Sequence, residues 1–382
     1  MASFEGREKK LSGEYTMWLI IFAVSILIGI AGALYLAGKL RRTGIFSQIK
    51  STAAVTFLSA AAVALFAFVL VLVFDTVNMI IIVVHVAVFL LLGDLLRFIA
   101  GRFFGKEIMH GTVDAIALFL CVITLAAGWI LMHGLWETDY SLFTEKKTGH
   151  IRMAHIADSH IGTGFSGKEF GKKLERIQSN APDILVITGD FVDDSTIKDD
   201  MVSACAALSD FKTKYGIYFC VGNHDLGYYG SEHRGYSGQE FLDELRKNGV
   251  IVLEDESVLI DDRFYVTGRL DADYGRADRL DIKSLVSGLD KEKYIVVLDH
   301  QPTDYEAEAA AGVDLVLSGH THGGQLFPLE YIQPLVSKNN NVRGYKRIGG
   351  TDFIVTDGIS DWAVKFRTGC RSEYNIIDIE GR

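Results

Sequence analysis

The chain has 382 residues, enough for two or more domains, and a formal net charge of −10, which argues against a nucleic-acid binder because such proteins are usually basic. Its four cysteines, Cys121, Cys205, Cys220 and Cys370, form no CxxC pair, so neither a disulfide framework nor a zinc ribbon is expected.

Residues 1–14 read as an amino-terminal tail. Four apolar stretches follow, Tyr15–Ala37, Ala53–Phe74, Val77–Ile99 and Thr112–His133, each close to the roughly 20 residues that span a hydrocarbon core. The first has too long an apolar run, with three more behind it, to be a cleavable signal. Together they predict an all-α, four-helix transmembrane domain over 15–135. Positive charge collects in two loops, Lys39, Arg41, Arg42 and Lys50 in one and Arg97, Arg102 and Lys106 in the other, against Arg7, Lys9 and Lys10 at the amino terminus. Positive loops stay in the cytoplasm, so an even number of spans places both termini and the following domain outside. His85, Asp94 and Asp114 fall within or beside the spans. They mark a transport or binding path, or else an interhelical hydrogen bond for His85 and interfacial positions for the two aspartates.

Residues 136–150 read as a linker, and 151–382 as a second domain. Here "IRMAHIA", "DILVIT", "GIYFCV", "YIVVL" and "VDLVL" are short Val-, Ile- and Leu-rich runs of buried strands. Between them, Phe170, Leu174 and Ile177 share one helical face, as do Val202, Cys205, Leu208 and Phe211. Strands alternating with helices predict an α/β (α+β) domain. Ile251–Ile260, Phe264–Thr267, Phe353–Thr356 and Tyr374–Ile379 read as further strands of a second sheet.

Each of the five runs ends in a polar cluster: "DSH", "GDFVDD", "GNHD", "DHQP" and "GHTHGGQ". Ligands in open α/β sheets bind beyond the carboxyl ends of strands, so the five clusters should converge. They supply seven nitrogen or oxygen donors, Asp158, His160, Asp190, Asn223, His300, His320 and His322. That is too many for one tetrahedral zinc and suits two divalent ions sharing a carboxylate, with Mn, Fe and Zn all compatible. If the backbone is extended, Asp158 and His160 leave on one side, as do His320 and His322.

The ordered set DxH, GDxxD, GNHD, a lone His and GHxH resembles the calcineurin-like metallophosphoesterases over Ile151 to Ile379. The resemblance implies a two-sheet β-sandwich flanked by helices with a dinuclear metal site. It implies a first metal on Asp158, His160, Asp190 and His322, with Asp190 bridging to a second on Asn223, His300 and His320. Asp193, the end of GDxxD, has no certain metal role. "LDHQP" and "SGHTHGGQLFP" look most like the bacterial membrane-associated branch, which includes UDP-diacylglucosamine pyrophosphatases.

The expected chemistry is in-line attack on phosphorus by a metal-bridging hydroxide. The resemblance implies that His224 contacts phosphate or protonates the leaving oxygen and that Asp225 orients its ring, with a loop-stabilising role as the alternative for Asp225. "LGYYGSEHRGYSG", from Leu226 to Gly238, with His233 and Arg234, reads as a cap over the site or a surface loop. Arg269, Arg343 and Arg367 are candidate phosphate contacts, and "SKNNNVRGYKRIGG" a loop beside the site or a connection. The terminal "IEGR" matches a protease-recognition tail and is assigned no function.

The expectation is an integral-membrane phosphoesterase of a lipid-linked or cell-envelope phosphate ester, phosphodiester or pyrophosphate, with no nucleic-acid partner and its catalytic domain extracytoplasmic. The alternatives are a tethered hydrolase of soluble phosphodiesters or nucleotides, and a non-catalytic metal-binding sensor.

Overall fold

The computed structural model describes residues 2–105, 109–227, 234–273 and 279–382, which form two units.

The helical unit, Met1–Gly128 with Ala363–Lys365, holds α1 (Ala2–Leu40), α2 (Thr52–Val73), α3 (Thr76–Phe104) and most of α4 (His110–His133). Residues 2–14 of the expected tail are continuous with the rest of α1. All four helices are long and apolar enough to cross a membrane, over Phe22–Leu40, Thr52–Val73, Thr76–Phe104 and Gly111–His133. Leu36, Val63, Val83, Ala87, Leu90 and Ala117 form a small core. The larger apolar residues, Phe57, Leu72, Phe98 and Phe119 among them, point outward, as a lipid solvent requires. The Asp75 side chain caps α3, accepting from Asn78 N at 2.9 Å. Asp94 and Asp114 both pair with Lys39 (2.8 and 2.9 Å) and with Arg97. The Tyr35 hydroxyl adds a 2.5 Å bond to Asp94. These two aspartates are therefore partners of the cations at the basic loops. His85 Nδ1 lies 2.8 Å from Ile81 O in its own helix, rather than reaching across to another.

The second unit, Trp129–Trp362 with Phe366–Arg382, alternates strands and helices. Its first half runs β1 (Trp136–Phe143), β2 (His150–Ile156), α5 (Gly167–Gln178), β3 (Ile184–Thr188), α6 (Lys198–Ser209), β4 (Ile217–Cys220), α7 (Gly238–Lys247) and β5 (Val250–Leu253). Then come β6 (Glu256–Ile260), β7 (Phe264–Gly268), α8 (Ile282–Leu285), β8 (Tyr294–Leu298), α9 (Tyr305–Ala310) and β9 (Leu315–Ser318). The chain closes with α10 (Leu329–Val336), β10 (Gly344–Ile348), β11 (Thr351–Val355) and β12 (Glu373–Glu380).

Among the described residues the strands make two six-stranded sheets, β1-β12-β2-β3-β4-β5 and β10-β11-β9-β8-β7-β6. Pairing is parallel except at β12–β2, β10–β11 and β6–β7. Alternation builds the layers. Ile184 and Val186 of β3 face Val296 and Leu298 of β8 in the core between the sheets. Leu185 and Ile187 pack outward on Phe170, Leu174 and Ile177 of α5 and Phe241 of α7. On the other outer face, Ile295 and Val297 meet Ile282 and Tyr305 of α8 and α9. This is the two-sheet sandwich expected.

Two boundaries need correction. The expected linker 136–150 contains β1, paired in parallel with β12 from Trp136↔Glu373 to Phe143↔Glu380. The run 251–260 is two strands in different sheets. Glu254 and Asp255 turn the chain from one sheet to the other, and Asp255 accepts from Leu270 N (2.9 Å) and Leu280 N (2.7 Å). The last expected strand, Tyr374–Ile379, is β12, and Ile379, where "IEGR" begins, is part of the core.

Candidate metal centre

The seven expected donors sit just past strand ends: Asp158 and His160 after β2, Asp190 after β3, Asn223 after β4, His300 after β8, and His320 and His322 after β9. The crossover topology of two parallel ladders brings these ends together. Among the described residues two clusters result, Asp158–His160–His322 and Asp190–His300–His320, each with its ligand atoms within 4.8 Å of one another. Asp190 Oδ2 lies 3.2 Å from His300 Nε2 and 3.8 Å from His160 Nε2, so one oxygen faces both clusters. Asn223 Oδ1 is 3.0 Å from both His300 Nε2 and His320 Nδ1. His322 Nε2 is 3.9 Å from Asp158 Oδ1.

Extended backbone does not aim these side chains. Asp158, His160, Asp190, His320 and His322 all have positive φ, between 37° and 70°. The turn after each strand, rather than the alternation of a strand, brings each pair together. Gly222 is required beside Asp190, because a methyl group there would collide with the Asp190 carboxylate.

The donor set fits divalent cations. His300 Nδ1 lies 2.8 Å from Thr188 O and donates to it, so a metal-bound ring would present its Nε2 lone pair towards Asp190 Oδ2 and Asn223 Oδ1. Three electron-rich atoms facing one another are satisfied by a cation among them. Fully buried His160 has no hydrogen-bond partner on Nε2. Electrostatics reflect the same crowding. Burial, followed by Asp190, pushes the Asp158 carboxyl up to about 6. Burial opposes charge on His160, but Asp193, Asp190 and Asp158 outweigh it and raise the ring to about 9. Burial would also raise Asp190, yet in the metal-free site, where His300 takes a second proton on Nε2 in a cation's place, His300 and His224 hold it well below the usual range.

Carboxylates stand behind two of the imidazoles. Asp193 Oδ2 is 3.4 Å from His160 Nδ1, and Asp361 Oδ1 is 3.5 Å from His322 Nδ1. Arg367 donates to Asp361 from Nε at 3.1 Å. Such carboxylates fix ring orientation and raise ligand basicity. Asp193 closes the GDxxD motif without a metal role in it, and Asp361 lies in no motif, so its place behind His322 exists only in the fold.

His224 sits beside the clusters. Its backbone N donates to Asp190 Oδ1 at 2.8 Å, its ring centroid is 5.3 Å from that of His160, and its Nδ1 is 3.5 Å from Asp194 Oδ2. Asp225 does not orient this ring. Its buried carboxylate accepts from the backbone N–H groups of Asp190, Phe191, Val192 and Gly222 at 2.7–3.2 Å, the loop-stabilising alternative. Arg234 secures the same loop, donating to Asp225 O at 3.1 Å. Residues 228–233 of the expected cap, His233 included, lie outside the described residues. Arg269 and Arg367 are buried in ion pairs, with Asp299 and Glu308 and with Asp361 respectively, leaving Arg343 as the exposed candidate of the three. The segment "SKNNNVRGYKRIGG" contains β10.

The calcineurin-like phosphoesterase profile matches residues 151–324. An uncharacterized metallophosphoesterase of Aquifex aeolicus is 30% identical over 276 residues, 69% of this chain and 99% of that protein. Uncharacterized metallophosphoesterase Cj0846 of Campylobacter jejuni is 29% identical over 61% of this chain and 60% of its own. A Danio rerio transmembrane protein with metallophosphoesterase domain is 28% identical over 59% of this chain. The match spans about half, 52%, of that Danio protein's length.

Proposed function

Because the chain belongs to the calcineurin-like metallophosphoesterases, we propose that it is a membrane-anchored, metal-dependent hydrolase of phosphoester bonds. The observation that carries this reading is Asp190 Oδ2 facing both ligand clusters at once. Asp158, His160, His322 and Asp190 would hold one divalent ion, and Asp190, Asn223, His300 and His320 the other. Two such ions supply an acidified water and positive charge for the phosphoryl oxygens. Asp193 and Asp361 position the rings of His160 and His322. His224 stands beside the clusters and would hold a substrate oxygen or give the leaving group its proton. The test uses the purified chain, stripped and reloaded with Mn, Fe or Zn, acting on bis-p-nitrophenyl phosphate. Asp190→Ala should lose both ions and essentially all turnover, and two metals per chain retained in that variant, by elemental analysis, would refute the bridge.

The substrate we propose is lipid-linked or envelope-borne, because four candidate spans hold the chain at a bilayer. The domain would face outside the cytoplasm, as the basic loops argue. Turnover of a membrane lipid extract, read by mass spectrometry, separates this from hydrolysis of soluble nucleotides.

A further inference from the structure

Helix α10 differs from the other helices of its unit. Each of α5 to α9 buries residues on its inner face, and α10 buries none. Its eight residues and the approach to it expose Phe327 (65%), Tyr331 (66%), Leu335 (82%) and Val336 (70%), with Leu329 and Ile332 also exposed. Burying none of this surface is costly in water, and no charge interrupts it except the part-buried Glu330. The segment that follows is basic, with exposed Lys338, Arg343, Lys346 and Arg347. Arg343 and Arg347 pair with Asp357 and Asp352, both buried, and Arg343 also with Glu330. An apolar, aromatic helix edged by lysine and arginine matches the chemistry of an anionic bilayer interface.

The helix is also joined to the metal centre. Gly324, two residues past His322, has φ 77°, and a methyl group on it would lie 2.6 Å from Glu330 Cα. Thr368 and Gly369 donate to Gln325 O at 3.1 and 3.2 Å, and Cys370 Sγ lies 3.1 Å from His322 O. Gln325 bonds Asp361, the carboxylate behind His322. The apolar helix is thus braced against the turn that presents His322.

We infer that α10 docks into the headgroup layer of an anionic bilayer, so that the metal centre takes its phosphate from that surface. The commitment to a bilayer follows from the four spans of the same chain and from the basic border. The catalytic half of the inference rests on the phosphoesterase reading above.

The test uses the full chain in nanodiscs of phosphatidylcholine and phosphatidylglycerol, with an environment-sensitive dye on Leu335→Cys. The four native cysteines are buried and should escape labelling. Spin-labelled lipids should quench the dye at 335 and leave one at Lys247→Cys on α7 unquenched. Equal quenching at both positions overturns the docking. So does energy transfer between labelled chains without lipid quenching, which would give the face to a second copy. The double variant Ile332→Glu/Leu335→Glu should then hydrolyse vesicle-borne phosphatidyl-p-nitrophenol about tenfold more slowly. Its rate on bis-p-nitrophenyl phosphate should not change. Equal losses on both substrates overturn the delivery role. Quenching at 335 with no lipid hydrolysis by the native chain leaves the docking intact and refutes the substrate reading instead.

Discussion

At the scale of the residue, the site concentrates unfavourable backbone. Five of its seven proposed ligands hold positive φ, at a cost of about 1–3 kcal/mol each in a non-glycine residue. Ligand geometry would be lost if these turns relaxed. His224 is the useful contrast, because it neighbours the clusters without belonging to either. His224→Ala should keep near-normal metal content and lose roughly 10²–10⁴-fold in turnover. The loss should shrink for p-nitrophenolate as leaving group, which needs little protonation. An equal loss for good and poor leaving groups would make His224 a phosphate-positioning residue. The ligands themselves were legible because metal chemistry is written in residue type and order. Asp361 was not legible, because its role exists only once the fold sets it behind His322. A second histidine carries a pH prediction. Buried His155 bonds Thr188 Oγ1 at 2.8 Å, and burial lowers its pKa to about 3. Its unfolded value is about 6.5, so above that pH the ring is neutral in both states. As pH falls from 6.5, the unfolded chain takes a proton that the fold refuses, and stability drops by about 1.4 kcal/mol per pH unit until about pH 3. His155→Gln should flatten the guanidinium-unfolding profile by that slope between pH 6.5 and 4.5. Parallel profiles for the two proteins would show that His155 carries no such penalty.

At the scale of the element, burial decided what could be read. The strands β3 and β8 are covered on both faces and show as unbroken apolar runs. The edge strands β1 and β10, "WETDYSLF" and "GYKRI", carry charge on exposed positions, and their sequences look like connections. The break between β5 and β6 was hidden because two strands separated by a two-residue turn resemble one long strand. Helix α5 is readable from both ends: Ser166 and Glu169 form a capping box, and Phe170, Leu174 and Ile177 share the buried face. Phe170 is fully buried, edge-to-face with Phe191 at 5.1 Å. Phe170→Ala should cost about 3–5 kcal/mol of stability by transfer and cavity terms. A loss under about 1 kcal/mol in chemical denaturation would mean that α5 contributes little to the core.

At the scale of the whole molecule, the apolar half was legible by length alone, and its polar details were not. Lys39, Asp94, Arg97 and Asp114 form one ion-pair network on α1, α3 and α4, which neutralises groups that otherwise suggest a transport path. Removing Lys39 and Arg97 from the count of unpaired positive charge weakens, but does not reverse, the loop asymmetry behind the proposed orientation. A reporter enzyme that works only outside the cytoplasm, fused after Arg382, should therefore be active. Activity of a cytoplasm-only reporter at the same position would overturn the orientation.

The turn at Glu254 and Asp255 has a consequence for how the centre comes into being. Everything before it supplies Asp158, His160, Asp190 and Asn223, and everything after it supplies His300, His320 and His322. Each cluster draws on both sides of that point. Cut there, the chain would become two pieces of which neither holds a complete coordination shell. β12, from the later piece, still has to slot between β1 and β2 of the earlier one. Metal uptake would then work as an AND gate, registering only the reunion of both inputs. A fragment pair split at this turn is a self-reporting complementation system whose output is the metal itself.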